Sequence, residues 1–177
     1  MSLETLRQAM PDYAKDIKLN LSKVLSEDGA EGLTLNQIYM TALASSYATK
    51  NETVIKAITE EASETLSDAE INAAKAAATI MGMNNIYYRF VHLSSDKSYA
   101  TMPANLRMNV IANSGVDKVD FEVMSLAVSS INGCGMCIDS HAQMLEKAGL
   151  NKTGIQSSIR IAATLSAAAQ ALVIEAI

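Results

Sequence analysis

The chain has 177 residues, a formal net charge of −5, and a composition that is 49% hydrophobic and 19% charged. That balance excludes disorder as the default, and an acidic chain without a basic face is a poor partner for nucleic acid. At this length a domain buries about 70% of the surface its unfolded chain exposes, so a core forms without covalent staples. With 27 Ala, 2 Pro and no Trp, the composition favours helix throughout.

In chain order, Met1 to Met10 carries Glu4 and Arg7 and lacks a signal-length apolar run. Pro11 precedes a helix start at Asp12-Tyr13-Ala14, and Ile17, Leu21 and Val24 give it one apolar face to about Leu25. Glu27 to Gly32 reads as a turn. Thr34 and Gln37 are spaced as a capping box opening a helix to about Thr49, and Thr53 to Ala62 predicts a short helix. Ser67 and Glu70 form a second capping box, opening an alanine-rich helix to about Phe90. Ser94 to Pro103 reads as a polar connector, to which His92 is assigned as a surface residue, and Arg107 to Ala112 predicts one short helix.

Asp117 caps a helix expected over 118–131, which Asn132-Gly133-Cys134-Gly135 breaks. A helix follows from about Cys134 or Met136 to Ala148, with Gly149 as its C-cap, and Asn151 opens the last one. The stretch from Ile161 to Ile174 is the most apolar, but Thr164, Ser166 and Gln170 interrupt it. It is shorter than the roughly 20 residues a membrane span needs, so a core helix buried nearly all round is expected rather than a membrane anchor. No alternating strand pattern is present, and the fold class expected is all-α.

Met40–Tyr47 parallels Met124–Ile131 at an offset of 84 residues, and Ala77–Ile80 parallels Ala162–Leu165 at 85. The expectation is a single domain with an internal duplication: a scaffold half over 1–92 and a thiol-bearing half over 93–177. In this register Thr49 and Lys50 stand where the second half has Gly133 and Cys134.

The two cysteines, Cys134 and Cys137, are too close in sequence to staple a fold. At a helix N-terminus the dipole and unpaired N–H groups favour thiolate, the attacking form in disulfide exchange and peroxide reduction. His141 follows at a spacing that puts it on the same helix face, where an imidazole takes or returns a proton. Two alternatives stand beside this reading: two buried thiols packed as small hydrophobes, or a zinc site on Cys134, Cys137 and His141 with His92 or a carboxylate as fourth ligand. A structural zinc site normally needs a second ligand pair, which is missing, so no metal is expected. Glu122, in the first turns of the preceding helix, is by itself ordinary dipole decoration.

These residues resemble the AhpD alkylhydroperoxidase family, within the wider carboxymuconolactone-decarboxylase-like group. The family pattern runs glutamate, eleven residues, cysteine, one residue, histidine, cysteine, three residues, histidine. Glu122, Cys134, Met136, Cys137 and His141 stand at those places. Tyr13–Asn20, Ile80–Asn85, Arg107–Asn113 and Ala127–Cys134 are similar to the family as well, so the likeness spans nearly the whole chain. It implies an all-helical homotrimer and an antioxidant thiol-disulfide enzyme that reduces alkyl hydroperoxides. It also implies passage of electrons from dihydrolipoyl groups of an acyltransferase, recharged by lipoamide dehydrogenase and NADH, to a two-cysteine peroxiredoxin.

By the same resemblance Cys137 attacks peroxide, Cys134 resolves it, and Glu122 with His141 relays protons. A cytoplasmic, reducing location and no tightly bound cofactor are expected. A non-redox decarboxylase-like enzyme and a zinc or structural helical oligomer are the alternatives on the same fold. The departure from the pattern is Met136, which neither takes a proton nor carries charge where the family has histidine. A straight helix would put Glu122 about 18 Å from Cys134, at 1.5 Å per residue, so the sequence alone does not explain how a relay closes.

Overall fold

The computed structural model describes residues 2–177, so that Met1 of the N-terminal stretch lies outside it. Nine α-helices and two short 3-10 turns make up the regular structure of the described residues, and no strand occurs among them. The helices are α1 (Leu3–Gln8), α2 (Lys15–Val24), α3 (Leu35–Thr49), α4 (Glu52–Ala62), α5 (Asp68–Leu93), α6 (Asn109–Ala112), α7 (Lys118–Ile131), α8 (Gly135–Lys147) and α9 (Lys152–Glu175). The fold is all-α, as the composition predicts.

Helix starts follow local chemistry. Both capping boxes form: Thr34 Oγ1 accepts from the Gln37 N–H at 3.2 Å and the Gln37 side chain returns the bond. Ser67 and Glu70 do the same, and Asn36 donates to the Glu70 carboxylate at 2.7 Å. The Asn36 bond, with those from Ser67, holds Glu70 below the ordinary carboxylate range. α5 runs three residues past the expected end at Phe90, since no stop signal intervenes and Val91 is buried. His92 therefore sits exposed in the last turn of this helix, not in the connector. α1 is an element the sequence reading lacks; Ser2 caps it, and its one buried side chain is Leu6.

The core is built around α3 and α7, which pack against each other and against α5 and α9. From Met40 to Ser46 and from Phe121 to Ser129 every residue is buried. Helices buried all round need small side chains to approach closely, and Ala42, Ala44, Ser45, Ser125, Ala127 and Ser129 provide them. The turn before α3 clamps onto α9: Gly32, at φ +86°, lies so close to Gly154 that a Cβ on Gly154 would meet the Gly32 carbonyl oxygen at 2.7 Å.

α9 departs from its expectation. Its inward side, including Ile161, Ala162, Leu165, Ala168 and Ala169, is buried, but Ala163 and Gln170 are exposed and Val173 and Ile174 are about half exposed. It is long and apolar enough to cross a membrane, yet half of its most apolar stretch is buried inside the protein. Burial in the core explains its apolar composition.

Candidate active site

The cysteine pair is placed by two caps that share a residue. α7 ends in a Schellman motif: the Gly133 N–H donates to the Ser130 carbonyl at 3.2 Å and the Cys134 N–H to the Ser129 carbonyl at 3.1 Å. That closure needs a left-handed residue, which Gly133 supplies at φ 68°. Cys134 is also the N-cap of α8, and its Sγ accepts from the Cys137 N–H at 3.3 Å. Only Asn132, Gly133 and Cys134 separate the helices, so the orientation of Cys134 is fixed from both sides.

The two sulfurs form a disulfide, with Cα atoms 5.3 Å apart. Their exposures differ: Cys134 is 0% exposed and Cys137 is 7% exposed. Cys137 alone of the two lines the adjoining cavity of about 300 Å³.

The sharp turn makes α7 and α8 an antiparallel pair. Glu122, near the start of α7, comes beside the middle of α8, where its Oε2 lies 2.6 Å from His141 Nδ1. Both are nearly buried, with side chains 10% and 12% exposed. The partner that the turn brings to Glu122 is thus the histidine. A carboxylate only accepts, so in a bond to the ionised form of Glu122 it is Nδ1 that donates, which leaves Nε2 of the ring unused by this pair. His141 follows Cys137 by one helical turn, a rise of about 6 Å on the same face. Glu122, His141 and Cys137 line one cavity.

The cavity wall comes from four segments. Met81 and Tyr88 project from α5, Met108 and Ile111 from the connector and α6, and Met136 and Met144 from α8. Four of the ten methionines of the chain are therefore in this one wall. Tyr88 Oη contacts the Met108 sulfur at 4.0 Å, which ties the connector across the site. Ser140 and Asn84 are the remaining polar lining groups. By sequence alone, Met81 and Met83 beside Asn84 and Asn85 look like core packing with a polar edge, and nothing in that pattern announces a cavity. The available signal was a pair of asparagines in an alanine-rich helix, where burial demands partners.

Those asparagines differ. Asn85 is satisfied at both ends: its Nδ2 donates to Ser129 Oγ at 2.8 Å and its Oδ1 accepts from Asn132 Nδ2 at 2.9 Å. Arg89 Nη1 in turn donates to the Asn132 carbonyl. The network pins the α7–α8 turn, and with it Cys134, onto α5. Among the described residues no cluster of three or more His, Cys, Asp or Glu is arranged to hold a metal ion.

Residues 98–176 match the profile of the carboxymuconolactone decarboxylase family. Three curated relatives match over almost the full chain. An alkyl hydroperoxide reductase AhpD of Coxiella burnetii is 57% identical over 173 residues, covering 98% of both chains. The same-named protein of Rhodopseudomonas palustris is 56% identical, over 96% of this chain and 92% of its own. That of Azorhizobium caulinodans is 54% identical, over 97% and 93%. A disulfide-forming pair three positions apart at a capped helix start, beside a Glu–His pair in one cavity, fits this likeness, and the chain belongs to the AhpD family.

Proposed function

We propose that this chain is an alkyl hydroperoxide reductase working through Cys134 and Cys137, with electrons drawn from dihydrolipoyl groups. The observation that carries the reading is the placement of Cys137 at the N-terminus of α8, in the cavity that also holds the Glu122–His141 pair. In the dithiol form the helix N-terminus favours the Cys137 thiolate, which attacks the terminal oxygen of ROOH. An S–O bond forms, the O–O bond breaks, sulfur is oxidised to sulfenic acid, and RO⁻ takes a proton relayed by His141 and Glu122 to leave as ROH. Cys134 then attacks the Cys137 sulfur as the thiolate, and the hydroxyl leaves as water with the proton given up by the Cys134 thiol, closing the disulfide seen in the structure.

Reduction reverses the last stage by exchange. A dihydrolipoyl thiolate attacks the accessible Cys137 sulfur, Cys134 leaves as thiolate, and the second lipoyl thiol completes the transfer. The dithiol so formed also serves a two-cysteine peroxiredoxin by the same exchange. The lipoyl groups are those of an acyltransferase, recharged by lipoamide dehydrogenase and NADH. Such a cycle needs a reducing compartment, which supports a cytoplasmic location.

A homotrimer is part of the same reading, supported by the outer face of α9. There Ile159, Ala163 and Ala167 line an open groove with Ile131 of α7, a surface of small apolar side chains suited to close packing.

The test is a single turnover. The fully reduced protein is mixed with one equivalent of tert-butyl hydroperoxide, and the Cys134–Cys137 peptide is followed by mass spectrometry. Loss of two hydrogens at a rate proportional to peroxide, with trapping of a Cys137 sulfenic acid in Cys134→Ser, supports the assignment. Trapping at Cys134 in Cys137→Ser, at equal rate, overturns it.

A further inference from the structure

We infer that the Ser140 hydroxyl donates to the Cys137 sulfur in the dithiol form, and so gives the thiolate the donor that Met136 does not. The inference rests on the peroxide-reducing reading above for the role of Cys137 as the attacking thiolate. Ser140 follows Cys137 by three residues on α8, and both line the reaction cavity with His141. Side chains three apart on a helix have Cβ atoms about 5–6 Å from each other, and a helical side chain leans over the turn on its N-terminal side. For Ser140 that turn is the one Cys137 begins. A hydroxyl on one Cβ and a sulfur on the other span the remaining gap as a hydrogen bond.

The hydroxyl is available for this bond. Ser46, Thr79, Ser130 and Ser158 each turn the hydroxyl back onto a carbonyl of the preceding helical turn. Ser140 makes no such bond and is exposed, so its hydroxyl rotates freely between staggered rotamers and answers to the nearest charge. In the disulfide form the Cys137 sulfur is neutral and bonded to Cys134. Reduction turns it into a charged acceptor, and charged acceptors form the stronger hydrogen bonds. The ionisable groups on the packed elements are otherwise engaged. Glu122 of α7 is bonded to His141, Tyr88 of α5 contacts the Met108 sulfur, and Arg89 of α5 donates to the Asn132 carbonyl. The connector and α6 present only Met108 and Ile111 to the cavity, and the neutral amide of Asn84 stands on a different helix. Ser140 keeps its proton throughout. It stabilises the thiolate before attack, while RO⁻ takes its proton from the His141 side.

The experiment reads Cys137 itself. Fully reduced parent, Ser140→Ala and Ser140→Thr are alkylated with iodoacetamide across the pH range in which a thiol titrates, and the initial rate at Cys137 is located by peptide fragmentation in the mass spectrometer. Loss of one hydrogen bond to a charged group is expected to raise the Cys137 midpoint in Ser140→Ala by about 0.5–1 unit. The rate then falls about 2–4-fold below the midpoint, because fewer sulfurs are ionised although each is the better nucleophile, and it does not fall above the midpoint. Ser140→Thr keeps the hydroxyl and is expected to keep the parent's midpoint. Alanine is the better helix former, so Ser140→Ala is expected to melt at or above the parent's Tm. An unchanged midpoint in Ser140→Ala, an equal shift in Ser140→Thr, or slowing at every pH with a lowered Tm overturns the contact. The same proteins are then mixed with cumene hydroperoxide over the same pH series, where thiol oxidation is expected to follow the same shift. A parent that is alkylated at Cys137 but not oxidised by the hydroperoxide overturns the peroxide-reducing reading, while the midpoints still decide the Ser140 contact.

Discussion

Met136 faces the cavity at 36% exposure, between the two cysteines, and offers neither charge nor proton to the sulfur beside it. On the proposed function, thiolate stabilisation then falls on the α8 N-terminus and the Glu122–His141 pair. Met136→His adds a titrating group there and is expected to lower the Cys137 thiol pKa in the reduced protein. Ultraviolet thiolate titration checks this, and an unchanged midpoint contradicts it. Glu122→Gln keeps the size of the side chain but removes the carboxylate that fixes the His141 tautomer. Peroxide reduction is expected to fall about 10²-fold, the usual worth of a positioned proton relay, with the melting curve little changed. Stopped-flow thiol oxidation against a thermal melt separates the two effects. The four-residue cysteine–histidine spacing was legible in the sequence because it lies on one helix. How Glu122 comes to meet His141 was not, because that depends on the tightness of the α7–α8 turn.

At the scale of elements, starts and stops were the most legible features. Thr34 with Gln37, Ser67 with Glu70, Asp117 and Asn151 all cap the helices their side chains predict. Caps are made by residues three apart, so a linear reading captures them. The cavity was illegible for the opposite reason: α5, the connector, α7 and α8 contribute to it from positions far apart in the chain. The left-handed ends tell a related story. Gly133 and Gly149 close α7 and α8 at positive φ, but α3 is closed by Lys50 at φ 58°. A side chain in that conformation is strained, so Lys50→Gly is expected to stabilise the protein by about 0.5–1 kcal/mol after the added flexibility of the unfolded chain is counted. Urea unfolding gives the difference directly, and a destabilised variant contradicts the account.

In the whole molecule, the cap residues Thr34, Asn51 and Ser67 of the first half are matched by Asp117, Cys134 and Asn151 at spacings of 83, 83 and 84 residues. We propose on this basis that the halves 1–92 and 93–177 repeat one helical unit. The register is one residue shorter than the segment matches indicate. In it Lys50 pairs with Gly133, both left-handed, and Asn51 pairs with Cys134, both N-caps. The first-half cap is an oxygen that only bonds backbone; the second-half cap is a sulfur that also forms a disulfide. On the trimer reading, Ala163→Glu puts a charge on the exposed face of α9 and is expected to convert a particle of three 18.9 kDa chains into monomers, measured by light scattering. A variant of unchanged mass contradicts that placement of the interface.

On the proposed function, the Cys134–Cys137 pair cycles between disulfide and dithiol to reduce peroxide. The most direct measurement is NADH consumption in a mixture of the protein, lipoamide, lipoamide dehydrogenase and an alkyl hydroperoxide, with Cys137→Ser run beside it. Turnover is predicted for the parent and background for the variant. A parent no faster than Cys137→Ser, or a variant that keeps the parent's rate, would contradict the account.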